Sequence, residues 1–201
     1  MSGEHARRYP RSVPIGGGEV TLRAMEPRDG PALLGFARSL PAHDLLFLRR
    51  DITQPEAIES WVRGLDRGII STVLAERDGA VVGYATIDRG DVSWSPHVAE
   101  LRVLVGDTVR GKGLGRILTQ EAFALALGLG IEKMVAQMTL DQKGAIAVFE
   151  GMGFRPEALL RDHVKDRQGT KHDLLVLSRD VLQFQAQMAA YGLDEALEGG
   201  G

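Results

Sequence analysis

Apolar and polar positions change period along this chain, and the changes set out its elements. Residues 19–25 alternate Val20, Leu22 and Ala24 with Thr21 and Arg23, which predicts a first strand. Pro27-Arg28-Asp29 then opens a helix to about Ser39, with Leu33, Leu34, Phe36 and Ala37 as its apolar stripe. Residues 41–52 break the pattern and hold Phe47, Leu48, Arg49 and Arg50. Thr53-Gln54-Pro55-Glu56 has the form of a capping box, ahead of a helix that buries Ala57, Ile58, Trp61, Val62 and Leu65. Residues 69–76 and 80–88 are β-rich runs joined across Arg77-Asp78-Gly79, a hairpin signal. Within the second run Gly83-Tyr84 marks a bulge or a close backbone approach. A third run over 98–105 is followed by a helix carrying Leu114, Ile117, Leu118, Ala122, Leu125 and Leu129 at helical spacing. A strand over 133–140, a short helix over 143–152, a hairpin over 154–165 and 172–178, and a last helix over 181–197 complete the order.

Between the third β run and its helix lies Val109-Arg110-Gly111-Lys112-Gly113-Leu114-Gly115. Glycines accept positive φ and let a ligand approach backbone N–H groups, and the opening turn of a helix presents unpaired donors and positive charge. Together they describe an anion cradle. It is not a nucleotide P-loop, because Arg116 and Ile117 follow Gly115 where Lys-Ser/Thr is required. A dinucleotide fingerprint fails too, since its third glycine falls at Arg116.

Composition narrows the classes. At 201 residues the chain suits one domain over 19–180, a flexible N-terminal arm over 1–18, and a C-terminal helix with a disordered glycine tail over 181–201. The net charge of −3 leaves no basic footprint for nucleic acid. Without cysteine, disulfides, thiolate metal sites and a cysteine nucleophile are all ruled out. No metal is expected, because His43, His97, His163 and His172 fall in no ligand spacing, and Ser71, Ser93 and Ser95 lack a nucleophile-elbow context. No apolar run resembles a signal peptide or a membrane span, so the expected location is cytoplasmic.

The glycine stretch, written Arg110-x-x-Gly113-x-Gly115, resembles the acyl-CoA loop of the GCN5-related N-acetyltransferases (GNAT). Residues 145–154, Ala-Ile-Ala-Val-Phe-Glu-Gly-Met-Gly-Phe, resemble that family's second signature, and the element order over 19–180 matches its plan. The resemblance implies a mixed α/β fold, with a mostly antiparallel sheet and one parallel pair splayed at the CoA loop. It also implies an enzyme that moves an acetyl group from acetyl-CoA to an amine, with helices after the first strand lining the acceptor pocket. Backbone N–H groups of Arg110, Gly111, Lys112, Gly113, Leu114 and Gly115 would bind the diphosphate, and backbone near Val103 and Val105 would hold the pantetheine. The side chains of Arg110 and Lys112 either reach the phosphates or stay solvated.

Two positions depart from the family pattern. Gln142 stands where an asparagine is usual, and Phe149 occupies the place of the tyrosine that serves as general acid. Phenylalanine donates no proton, yet a thiol of pKa about 8.5 leaves tolerably as thiolate, so the loss costs up to about 10²-fold. Tyr84 or water are substitutes for that acid; Tyr84 also reads as a packed strand residue with its hydroxyl at the surface. Glu100 is the candidate base toward an amine, or else an edge-strand carboxylate paired with Arg102. His172-Asp173 reads as a surface hairpin pair. The acceptor, a small amine, peptide or protein, is left open, and the family's pairing through C-terminal elements implies a homodimer. Two other readings stand beside the enzyme: a non-catalytic acyl-CoA sensor, motivated by Phe149, and a nucleotide-phosphate module.

Overall fold

Strands whose residues are apolar on both faces belong in the middle of a sheet, and the two β-rich runs either side of Asp78-Gly79 behave this way. In a computed structural model, which describes residues 8–45, 51–91, 94–166 and 168–190, they form β3 (Ile70–Arg77) and β4 (Ala80–Asp88), each with a fully buried centre. Asp78 and Gly79 both take positive φ, 52° and 77°, which matches the right-handed twist of a tight hairpin.

Around this hairpin the chain builds one eight-stranded sheet, in the order β1-β2-β3-β4-β5-β6-β8-β7. The remaining strands are β1 (Arg11–Ile15), β2 (Gly18–Ala24), β5 (Val98–Val105), β6 (Lys133–Thr139), β7 (Arg155–Lys165) and β8 (Lys171–Asp180). Among the described residues only β5 and β6 pair in parallel, and only through Val98, Ala99 and Glu100. Past Glu100 the two strands part. The mixed sheet with one splayed parallel pair is therefore the one the sequence implied.

Helices cover both faces. On one lie α1 (Gly30–Ser39) and α2 (Pro55–Asp66), which bury Leu33, Phe36, Ile58 and Trp61 against Leu74, Tyr84 and Leu104. The other face carries α3 (Leu114–Gly128), α4 (Lys143–Gly151) and α5 (Val181–Ala190), over a core that includes Leu114, Leu118, Phe123, Phe149, Phe154 and Phe184. Gly83 sets the height of α3, because a Cβ there would lie 2.9 Å from the Leu104 carbonyl oxygen and 3.3 Å from Leu118. Next to it, Val82 is the extra residue of a bulge opposite Ala75 and Glu76. Both meanings of Gly83-Tyr84 thus hold.

Three expectations are corrected. Residues 11–15 of the supposed arm form β1, paired with β2 through Val13–Val20. Pro14 is tolerated because β1 is an edge strand. Helix α2 has Gln54, not Thr53, at its N-cap, and no side chain caps it; Thr53 instead bonds Asp51 through both its hydroxyl and its N–H. The Tyr84 hydroxyl is not at the surface: the residue is fully buried, edge-on to Trp61 at 5.0 Å and Phe36 at 6.1 Å. The first residues of the arm, Phe47 to Arg50, Ser93 and the glycine tail lie outside the described residues.

Burial drives the Tyr84 phenol well above its usual pKa, and its oxygen has no hydrogen-bond partner among the described residues. An orphaned buried hydroxyl costs about 1–3 kcal/mol. Tyr84→Phe is accordingly expected to leave stability unchanged or raise it by about 1 kcal/mol in urea unfolding, and to leave turnover intact. A loss above about 1 kcal/mol, or of turnover, would contradict this placement.

Candidate active site

The glycine loop crosses from the end of β5 to the start of α3. Gly111 and Gly113 take φ of +74° and +90°, and a Cβ added to either would meet nothing within 4 Å, so backbone shape rather than space selects glycine here. Gly113 is the N-cap of α3, and no side chain caps the helix. From Gly111 through Gly115, no backbone N–H donates to an acceptor among the described residues. Such a row of uncommitted donors at a helix start fits a diphosphate.

The loop cations are committed elsewhere. Arg110 binds the Asp44 carboxylate, which raises its pKa; it also pairs with Asp107 at 3.1 Å and donates to the Val105 carbonyl at 3.2 Å. Lys112 Nζ donates to the Thr108 carbonyl at 2.7 Å. Each side chain has an acceptor within the chain while Arg110 stays half-exposed, and the donors left uncommitted in the loop are those of its main chain.

Strand parity places Val103 and Val105. Gly106 N–H donates to the Val82 carbonyl of β4 at 2.8 Å, so Arg102 and Leu104 also turn their backbone groups toward β4. Val103 and Val105 direct theirs the opposite way, into the gap left where β6 diverges. That edge, without a strand partner and with the Val105 carbonyl bonded to Arg110, leads from the loop toward Glu100.

On the α2 face of the same strands, Glu100 lies opposite Asp88, and Arg102 opposite Thr86. These four, with Trp61 and Ile70, line a cavity of about 100 Å3. The Glu100 side chain is 12% exposed and bonds Arg102 at 2.6 Å, the pairing expected of a structural carboxylate, but on an interior strand rather than an edge. Trp61 is held in the wall by a buried chain, its indole N–H donating to Thr72, whose hydroxyl bonds Thr86 at 3.0 Å. The wall of the cavity is fixed while its floor carries charge of both signs.

The two departures from the family signature lie apart from this cavity. Gln142 turns back to accept the Thr139 N–H at 3.2 Å, closing the β6–α4 turn. Phe149 is a core ring, edge-on to Phe154 at 4.9 Å. His172 bonds Asp166 of the hairpin turn at 3.0 Å, which holds that carboxyl below the ordinary range. Among the described residues no group of three or more His, Asp or Glu is placed to hold a metal. Sequence reading missed Asp88, Asp44 and the wall role of Trp61. Asp88 needs the β4–β5 register to find, Asp44 lies 66 residues from its partner, and Trp61 looked like any core residue.

An uncapped helix start beside a splayed parallel pair is the arrangement that the resemblance to acyl-CoA N-acyltransferases implied. The model of the Acetyltransferase (GNAT) family matches residues 36–154, more than half of the chain. The chain belongs to that family and is an acetyl-CoA-dependent N-acetyltransferase. "Putative phosphinothricin acetyltransferase YwnH" of Bacillus subtilis (strain 168) is 27% identical over 164 residues, covering 81% of this chain and 99% of that protein. The L-amino acid N-acetyltransferase AaaT of Escherichia coli (strain K12) is 26% identical, covering 69% and 85%. Among solved structures, a ribosomal-protein-alanine N-acetyltransferase from Brucella melitensis superposes with a TM-score of 0.70 at 26% identity, covering 79% of this chain and 98% of that one. The acetyl-CoA complex of yncA from Salmonella typhimurium shares the fold at a TM-score of 0.70 and 22% identity, covering 81% and 94%. No described helix is long and apolar enough to cross a membrane.

Proposed function

We propose that the acceptor is the primary amine of a small molecule of amino-acid type, and that Glu100 takes its proton. The observation that carries this reading is the pairing of Asp88 and Glu100 across β4–β5 beside Arg102, inside a cavity of about 100 Å3. Carboxylates there attract an ammonium, the guanidinium suits a carboxylate, and Trp61 and Ile70 supply an apolar wall. Names carried by the relatives, phosphinothricin and L-amino acid acetyltransferases, support the same class.

An alkylamine of pKa about 10.4 arrives protonated and must lose that proton before it can attack. Glu100 receives it. The freed nitrogen lone pair forms the C–N bond at the thioester carbonyl, the C–S bond breaks with its electron pair leaving on sulfur as thiolate, and the second proton that the nitrogen sheds on becoming an amide passes to solvent or to that thiolate. With Phe149 in place of a proton donor, the leaving group departs by its own acidity. Backbone groups of Val103 and Val105 would align the pantetheine, and the amides of residues 111–115 would hold the diphosphate, the Arg110 N–H being bonded instead to the Asp107 carbonyl at 3.3 Å. Gln142 and Phe149 act at one remove: Gln142 shapes the turn after β6, and Phe149 supports α4 from the core. A cytoplasmic location and a homodimer complete the reading, and the exposed edge strand β7 offers an open edge for pairing.

The test is release of CoA thiol from acetyl-CoA against free amino acids, other small amines and a peptide. We expect turnover with a free amino acid or a similar aminocarboxylate, and none with the peptide. Turnover on the peptide alone would overturn the acceptor class. Binding of acetyl-CoA without thiol release on any amine would favour the sensor reading that Phe149 motivates.

A further inference from the structure

Strand β1 lies outside the residues matched by the family model, yet it fastens α3 and the glycine loop at two separate points. At the far end, Glu121 sits two turns into α3 with a side chain only 1% exposed, and it accepts hydrogen bonds from the Tyr9 hydroxyl at 2.7 Å and from the Arg11 guanidinium. At the near end, Gly16, in the turn that follows β1, donates its N–H to the Lys112 carbonyl at 3.0 Å. The approach is close, since a Cβ on Gly16 would lie 3.3 Å from the Lys112 Cβ. Between these points Val13 is buried opposite Val20 and Ile15 packs on the same core, so the segment is anchored along its length.

The Lys112 carbonyl belongs to the same peptide unit as the Gly113 N–H. A trans peptide is planar, with its carbonyl and N–H pointing in opposite directions. Fixing the carbonyl toward Gly16 therefore fixes the Gly113 N–H away from it. Gly111 and Gly113, either side of Lys112, are the two residues whose positive φ gives the loop its shape. Left to themselves, two glycines flanking a single residue allow that peptide to rotate.

We infer that residues 9–16 form a strap that presets the diphosphate-binding loop, and that the Gly16 N–H is the positioning group for the Gly113 amide. The inference rests on the loop being the diphosphate site. Preset donors raise affinity because the ligand does not have to order them.

Gly16→Pro removes the N–H, whereas Gly16→Ala keeps it and asks the Lys112 Cβ, 3.3 Å away, to give by a few tenths of an ångström. By calorimetry, Gly16→Pro is expected to raise the Kd of acetyl-CoA about five- to tenfold and Gly16→Ala by less than about twofold. At saturating acetyl-CoA, kcat and the acceptor KM should be unchanged in both. Equal behaviour of the two variants, or wild-type affinity in Gly16→Pro, overturns the strap. Should Gly16→Pro not fold, Tyr9→Phe at the far anchor carries the test: a weaker acetyl-CoA affinity with unchanged acceptor KM supports the strap, and no change overturns it. Gly113→Val separates the two layers. If it weakens acetyl-CoA while Gly16→Pro does not, the strap alone falls; if Gly113→Val binds normally, the loop reading falls and takes the strap with it.

Discussion

Gly113→Val should weaken acetyl-CoA binding about 100-fold while leaving the protein folded. Gly113 holds φ +90° and ψ −11° at the N-cap of α3, and a β-branched residue pays about 1–3 kcal/mol to remain there. The space around it is open, so no clash opposes the side chain itself. The strain is relieved by turning the local backbone, and that moves the N–H groups of residues 113–115 out of line with one another. Hydrogen bonds to a charged acceptor are worth about 1.5–3 kcal/mol each, so losing one or two accounts for the factor. Calorimetric titration with acetyl-CoA reads the effect, and a Kd within twofold of wild type would mean that the loop does not bind the diphosphate.

The second large effect is expected at Glu100. Glu100→Gln keeps the side-chain volume and can still accept a bond from Arg102, but it cannot take a proton at neutral pH. A general base contributes about 10²–10⁴-fold, so kcat/KM should fall at least 100-fold with the Kd of acetyl-CoA unchanged. The split matters, because damage to the sheet would reach both sites. The pH–rate profile gives the decisive reading: in wild type its acidic limb reports the base, and in the variant that limb should vanish. An unchanged profile would leave Glu100 as the structural partner of Arg102, with an acceptor that arrives already neutral or a base elsewhere.

Local signals in the sequence were read correctly where local physics decides the structure. The hairpin at Asp78-Gly79, the glycine loop and part of the apolar face of α3 depend on neighbours a few residues apart and were visible as patterns; Leu114, Leu118 and Ala122 are buried as expected, whereas Leu129 is exposed and the buried Phe123 and Ala126 were missed. Strand β1 was not, because Pro10, Pro14 and the run from Gly16 to Gly18 hide the alternation of Val13 and Ile15. An edge strand tolerates those residues, and what fixes it is a buried carboxylate more than a hundred residues away. The capping motif at Thr53 failed for a nearby reason: Asp51 competes for the threonine, and Pro55 begins the helix one residue later than the motif requires.

Legibility of the site follows the same division. Loop residues 111–115 could be named because their chemistry lies in consecutive backbone amides. Glu100 could be proposed from its strand, but its setting could not, since Asp88, Thr86 and Trp61 come together only through the register of β4 on β5 and the packing of α2. The fates of Arg110 and Lys112 were equally hidden. Each finds an acceptor within the fold, so on the proposed reading anion recognition would fall to the main chain.

Main-chain recognition is the centre of the account, and amide NMR addresses it most directly. Titration with acetyl-CoA is predicted to shift the 15N–1H signals of Gly111 to Gly115 to saturation, while pantetheine, which lacks the diphosphate, leaves them in place. If acetyl-CoA saturates the protein and those five amides do not respond, the diphosphate is held somewhere else and the account is wrong.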